Sequence, residues 1–404
     1  MKPILVVGSG LSGLSTAFWL KKLGIPCDVI EKSDRVGGLL STKRTEFGLV
    51  ESAANGFLAA PEILELCEEV GVELAPRKAS RKRRYIFRGR PRRWPLNFLE
   101  TLFLLKGLFK RFLFPSKFFQ IGSSETVSEW AENRFGEGAV QWLVSPALQG
   151  IYAGNVKRMS AGLVFKGLFE KRGPVPKELR GTLSPKVGMG ELIEKLEKWL
   201  VNQGVSFQMG TDFKDFDSSS YQAVVLATSS FDLEDLEGLK GAPTLSVEVL
   251  PLLTATLFFE REDFHFEGFG CLFPQAEGFY SLGVLFNDSI FEGRSEKRSE
   301  TWILGGAFRK DVCRFSNEEI LRQIKEDRKR LYSQADPGDP LGVDITRWER
   351  ALPHLNTDLE SQLADLQKKS GIFLSGNYLG RIGLSQIVAR NKRTALEIQK
   401  EFYL

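Results

Sequence analysis

At 404 residues the chain exceeds the roughly 250–300 at which a single hydrophobic core stops growing, so two interwoven domains are expected. Hydrophobic residues at 42% and charged residues at 26% exclude a disordered chain and a multi-span membrane protein, and a formal net charge of +4 is too small to call for a nucleic-acid partner. Four scattered cysteines, Cys27, Cys67, Cys271 and Cys313, form no C-x-x-C pair and exclude a zinc cluster or disulfide framework, while the two histidines, His265 and His354, read as structural.

Met1, Lys2 and Pro3 lead straight into a strand without a secretory signal, so a reducing cytoplasm is the expected setting. Ile4–Val7 is a short apolar strand ending in glycine, Leu14–Leu23 carries apolar residues at helical spacing up to Gly24, and Cys27–Ile30 is a second strand. Together they make a βαβ unit and imply a parallel sheet. Residues 61–71 form a helix begun by Pro61, after which the chain turns basic from Arg77 to Arg93. The Phe- and Leu-rich stretch Leu96–Phe119, interrupted by Lys106, Lys110 and Arg111, is too charged to span a bilayer and reads as core, with a membrane-surface contact as the alternative.

Glu125–Phe135 and Gly190–Gln203 follow as helices, and Ala223–Ala227 is a buried parallel strand that returns the chain to the first sheet. Leu253–Phe259 and the glycine-punctuated run Gly268–Leu285 predict antiparallel strands. Glu318–Gln334 is a charged surface helix, Gly371–Ser375 a last buried strand and Gln386–Phe402 a final helix. The expected fold is α/β: a Rossmann-like domain from residues 1–76, 180–245 and 365–404, a helical part over 77–179, and an antiparallel-sheet substrate domain over 246–364.

The strand–turn–helix carries G-x-G-x-x-G as Gly8, Ser9, Gly10, Leu11, Ser12 and Gly13. The first glycine makes the tight turn, the second admits a pyrophosphate to the backbone, the third lets the helix pack, and the helix N-terminus supplies amide donors. Glu31, followed by Lys32, ends the second strand where a carboxylate accepts from ribose hydroxyls and repels a 2′-phosphate, which disfavours NADP. Arg35, Gly37, Gly38 and Leu39 then supply an R-x-G-G element characteristic of FAD rather than NAD proteins. Near the C-terminus Gly376 and Asn377, then Ile382, Gly383, Leu384 and Ser385, form a strand–glycine loop–helix junction able to stabilise negative charge on a flavin.

With these motifs the chain resembles the protoporphyrinogen oxidase family within the FAD-dependent amine oxidase superfamily. The resemblance runs through Glu125–Val127, Phe135–Gly136, Leu143–Pro146, Gly150–Asn155 and Met159–Ser160, with Arg84–Phe87, Gly188–Leu192 and Gly376–Asn377 in the family's order. Ser52–Ala54 depart from the family's Gly-Pro, Gln386–Ile387 from an Asp-Cys pair, and Asn391 from a glycine. The resemblance implies FAD as cofactor, a porphyrinogen substrate (protoporphyrinogen IX or coproporphyrinogen III), and oxygen as electron acceptor. It also implies that Arg84 binds a propionate and that the Gly150 carbonyl assists proton removal. Another amine oxidase, a carotenoid-type desaturase, a sugar-nucleotide mutase or a flavin-free binding protein of the GDP-dissociation-inhibitor kind are the alternatives, and homodimerisation stays open.

Overall fold

A computed structural model describes residues 2–114, 118–169, 173–229, 245–261, 266–333, 338–365 and 371–404; His265 and Gln334 lie outside them. The first domain centres on a five-stranded sheet in the order Ile372–Leu374, Ala223–Leu226, Ile4–Val7, Cys27–Ile30, Phe207–Gln208, and every pairing is parallel. Three distant stretches of chain meet there: the central strands Ile4–Val7, Cys27–Ile30 and Ala223–Leu226 are short, apolar and almost wholly buried, the composition a helix-covered parallel sheet requires, while the edge strands Ile372–Leu374 and Phe207–Gln208 are only partly buried. Helices Leu11–Lys22, Met189–Asn202 and Leu384–Phe402 cover one side, and Leu14, Phe18, Leu196 and Val388 fill the interval.

The second sheet has seven strands, in the order Gly342–Pro353, Val249–Phe259, Arg298–Gly305, Gly283–Phe286, Gly270–Leu272, Arg84–Phe87, Pro91–Arg92. All pair antiparallel except Gly270–Leu272 with Arg84–Phe87, which run parallel. Two strands of this sheet therefore come from the basic stretch beyond residue 77. Register sorts its side chains cleanly, since paired residues share a face. Leu253, Ala255, Cys271, Val284, Phe286, Trp302 and Leu304 pack against Ile320, Ile324 and Leu331 of the Asn317–Tyr332 helix. On that side Glu300 is buried but fully engaged by Arg328, Tyr332 Oη at 2.6 Å and Trp302 Nε1 at 2.9 Å, as a buried carboxylate must be.

One expectation is overturned. The Phe98–Leu113 helix is not core: only Leu104 and Gly107 are buried, whereas Phe98, Phe103, Phe109, Phe112 and Phe114 are exposed. A Cβ on Gly107 would stand 2.0 Å from the Arg134 carbonyl oxygen, so the helix lies close against Val127–Phe135 along one narrow line and turns its broad apolar surface outward. Local propensity and the Asn97–Glu100 capping box make the helix; among the described residues no packed partner covers its exposed phenylalanines.

Candidate active site and cofactor cradle

The carboxyl ends of the parallel strands converge. Gly8 N–H donates to the Ile30 carbonyl, Ala227 N–H to Val7 and Ser375 N–H to Leu226, so the turns after three strands lie side by side, where open α/β sheets take their ligands. Gly8 holds φ +100°, and a Cβ there would stand 2.8 Å from the Ala227 carbonyl oxygen. Gly13 has no room either, with the Gly8 carbonyl oxygen 1.8 Å from its would-be Cβ. Gly10 differs: its φ is −66° and within 4 Å its would-be Cβ meets only Gly38 Cα, at 4.0 Å. The fold itself does not require glycine at position 10, so the open space before it is what a backbone-bound pyrophosphate would need.

Three further observations fit FAD to this cradle. The Leu11–Lys22 and Leu384–Phe402 helices begin at Gly10 and Gly383 with no side-chain cap and no acid in the first turn, leaving their N-terminal amides for a ligand. Ser9 and Ser33 donate through both N–H and Oγ to Glu31, and although burial pushes this carboxyl up, those bonds hold it below its ordinary value. Glu31 is thus an aligned anion at the end of the Cys27–Ile30 strand, where it could accept from a ribose. Thr228, which follows Ala227 beside Gly8, has a buried hydroxyl without a partner among the described residues, a cradle residue that only its place after the Ala223–Leu226 strand would have marked.

Arg35 folds back so that its guanidinium donates to the carbonyls of Val36 and Gly38. Gly37 N–H reaches the Ser9 carbonyl at 2.9 Å, which fastens the R-x-G-G turn to the glycine loop. The Leu39 carbonyl accepts from Ser52 Oγ, and Lys32 lies exposed at the rim. Ser385 spends its hydroxyl on the Leu58 carbonyl, so it offers a ligand only its backbone. Gly376, Asn377 and Ile382 line the same C-terminal junction. Asn391 is buried and its Oδ1 accepts a hydrogen bond from Ser375 Oγ at 2.7 Å while its Nδ2 donates to the Ser12 carbonyl and Ser15 Oγ at 2.8 Å, binding the last helix to the first.

The other face of the seven-stranded sheet is the candidate substrate wall. Two rows cross it: Arg84, Gly270, Leu285, Thr301, Thr256, Asp344, and Ile86, Leu272, Gly283, Ile303, Thr254, Thr346. This face looks toward the first domain, for Lys43 pairs with Asp344, and Thr254 Oγ and Trp348 Nε1 donate to the Ser52 carbonyl. Leu252, Leu272, Leu285, Ile303 and Trp348 remain partly exposed here, unlike the residues behind them, so the wall is apolar and open. The Ser145–Tyr152 helix lies against it, with Gly150 so near that a Cβ would stand 2.4 Å from Leu272 Cδ2. Arg84 ends the wall. Its guanidinium stacks over Phe269 at 4.2 Å and has Thr182 Oγ at 3.5 Å, but no carboxylate partner among the described residues. Partial burial lowers its pKa from the ordinary guanidinium value, while part of the side chain stays exposed to water. Gly150 and Arg84, 66 residues apart, are therefore brought to one face.

A family model for flavin containing amine oxidoreductases matches residues 11–383. The chain belongs to this family. Among curated relatives it is 26% identical to protoporphyrinogen oxidase 2, chloroplastic/mitochondrial, of Arabidopsis thaliana, over 98% of this chain and 93% of that one. It is 21% identical to coproporphyrinogen III oxidase of Bacillus subtilis, over 97% and 96%. A provisional protoporphyrinogen oxidase from Exiguobacterium sp. 255-15 shares the fold with a TM-score of 0.77 at 19% identity, covering 99% of both chains. Cyclohexylamine oxidase from Brevibacterium oxydans reaches 0.72 at 14% identity, covering 100% of this chain and 99% of its own. The fold thus carries several chemistries. As a member of the amine oxidoreductase family the chain is an FAD-dependent oxidoreductase, with the glycine loop, Glu31 and the C-terminal junction as the residues that fit the cofactor.

Proposed function

We propose that this enzyme oxidises a porphyrinogen, protoporphyrinogen IX or coproporphyrinogen III, to the porphyrin with oxygen as the acceptor. The observation that carries the reading is the partly exposed apolar wall of Leu252, Leu272, Leu285, Ile303 and Trp348 ending at Arg84, which has no carboxylate partner among the described residues, a shape suited to a flat macrocycle with a carboxylate at its edge. Relatives named as protoporphyrinogen and coproporphyrinogen oxidases support it. When bound, FAD supplies the hydride acceptor, N5, and returns the electrons to oxygen. The wall excludes water and orients the ring, Arg84 holds a propionate by charge-assisted hydrogen bonds, and the missing side chain at Gly150 lets its helix seat on Leu272 of the wall, where the Gly150 carbonyl assists proton removal by accepting a hydrogen bond from the substrate.

Anaerobic mixing of the yellow protein with each porphyrinogen separately tests this: bleaching of the flavin absorbance by one names the substrate, and bleaching by neither sinks the assignment. In the same assay Arg84→Ala is expected to raise the KM on the order of 10- to 100-fold while the bound flavin spectrum is unchanged, since a hydrogen bond to a charged group contributes about 1.5–3 kcal/mol. An unchanged KM would remove Arg84 from the substrate site.

We further propose that the enzyme, in the cytoplasm, rests on an anionic membrane surface through the Phe98–Leu113 helix. The exposed phenylalanines alternate with Lys106, Lys110 and Arg111, an apolar layer with cations for lipid phosphates. Among the described residues no helix is long and apolar enough to cross a membrane. Flotation with vesicles of mixed anionic and neutral lipid is expected to carry the protein, and Phe109→Glu with Phe112→Glu to abolish it. A homodimer closed by this helix, seen as a halved mass in that double variant with no flotation of the wild type, would overturn the membrane reading.

A further inference from the structure

The Ser145–Tyr152 helix ends in a turn that L side chains adopt reluctantly. Ala153 stands at φ +52°, and the next residue, Gly154, has no room for a side chain: a Cβ there would lie 2.7 Å from Met159 Sδ and 3.2 Å from His354 Cδ2. What braces this turn is remote in sequence. Asn155 N–H donates to His354 Nε2 at 3.3 Å, which makes Nε2 the acceptor and puts the imidazole proton on Nδ1, where it is donated to Glu248 Oε2 at 2.9 Å. His354 is 1% exposed.

Glu248 is itself the hub of four donors. Besides His354 it accepts from Lys310 at 2.6 Å, Arg158 at 2.9 Å and Asn356 Nδ2 at 3.4 Å. These residues come from the start of the Val249–Phe259 strand, the stretch after the turn, the loop beyond Gly306–Phe308 and the end of the Gly342–Pro353 strand. The turn is also fastened directly to the sheet domain, because Ala307 N–H donates to the Ala153 carbonyl at 2.8 Å.

We propose that His354, aligned by Glu248, is a positioning residue for the active site: it holds the left-handed turn at Ala153–Asn155 and, through it, the helix that seats Gly150 on Leu272. The inference rests on the porphyrinogen reading for its kinetic consequence but not for its structural one. Gly150 lies less than one helical turn from Ala153, so a loosened turn lets the helix end rise from the sheet, and a displacement of about 1 Å in a site of this kind costs up to roughly 100-fold in rate.

The same geometry sets a pH dependence. Protonation of Nε2 removes the acceptor for Asn155 and adds a buried cation beside Arg158 and Lys310, with Glu248 the one anion facing the ring among the described residues. Burial lowers the His354 pKa from its ordinary 6.5, Glu248 pulls it up, and Arg158 and Lys310 lower it further, for a net depression. Burial pushes Glu248 up, but Lys310, His354 and Arg158 together bring its carboxyl to about 2, so it stays charged throughout. A folded pKa below the unfolded one means that the stabilisation is complete above 6.5 and is lost as pH falls through the folded value.

The test uses the FAD-loaded protein with His354→Leu and His354→Gln. His354→Leu is expected to slow flavin reduction at saturating porphyrinogen by roughly 10- to 100-fold, with FAD affinity and KM little changed. His354→Gln, which keeps a donor and an acceptor, recovers most of the rate and flattens the loss of thermal stability below pH 6.5. Hydrogen exchange at the Asn155 amide should be faster in His354→Leu than in wild type. A wild-type rate in His354→Leu, or unchanged exchange at Asn155, overturns the proposal; should that variant fail to fold, Glu248→Gln must show the same two effects in weaker form. If neither porphyrinogen reduces the wild-type flavin, the substrate reading falls while the exchange result still decides the latch.

Discussion

Gly13→Ala is expected to yield protein that cannot retain FAD. Its new methyl would stand 1.8 Å from the Gly8 carbonyl oxygen, and Gly8 cannot retreat because it is itself held at φ +100° against the Ala227 carbonyl. The Leu11–Lys22 helix must then move off the sheet, carrying its N-terminal amides away from the pyrophosphate. Gly10→Ala provides the control. The fold leaves room for that methyl, so the flavin-free protein should melt as wild type does, whereas FAD binding should weaken by about 5- to 150-fold, the equivalent of the ~1–3 kcal/mol typical of overpacking. Fluorescence titration with FAD alongside melting of the flavin-free protein measures both. Wild-type affinity in Gly10→Ala would mean that the pyrophosphate does not cross this loop.

The second large effect is expected at a pair that joins the two domains. Arg294, 4% exposed, donates to Glu51, 3% exposed, at 2.6 Å, and Glu51 also accepts from Thr42 Oγ at 2.6 Å and from Met189 N–H at 3.0 Å. Removing one partner strands a buried charge, so Arg294→Leu should cost about 3–5 kcal/mol in urea unfolding of the flavin-free protein. Because both charges carry a desolvation penalty, Glu51→Leu combined with Arg294→Leu should recover much of that loss. A single-variant cost under about 1 kcal/mol would show the pair to be bystanders. The consequence reaches the cofactor, since Met189 begins the helix whose Ile193 packs against Gly37 of the R-x-G-G turn.

Neither member of that pair announces itself in the sequence. Glu51 stands out only as the acid before the departing Ser52–Ala54, and Arg294 lies 243 residues away in an undistinguished loop. His354 was read as structural, and nothing in its neighbours in the chain points to Asn155 or Glu248. The misreading of Phe98–Leu113 has a related cause: its apolar spacing is that of a core helix, and whether a partner covers it depends on how the Val127–Phe135 helix docks.

The sequence by itself determined the cofactor and the Rossmann-like frame. Gly8, Gly10, Gly13, Glu31, Gly37 and Gly38 lie within 31 residues, and short-range backbone geometry and charge dictate what such a turn binds. Only the tertiary structure decided the make-up of the proposed substrate wall, since sheet register puts Arg84, Leu272, Ile303 and Thr254 on one face and Cys271, Trp302 and Leu304 on the other. That register depends on pairings between strands up to about 200 residues apart, and no local propensity encodes which residues of so distant a set come to face one another.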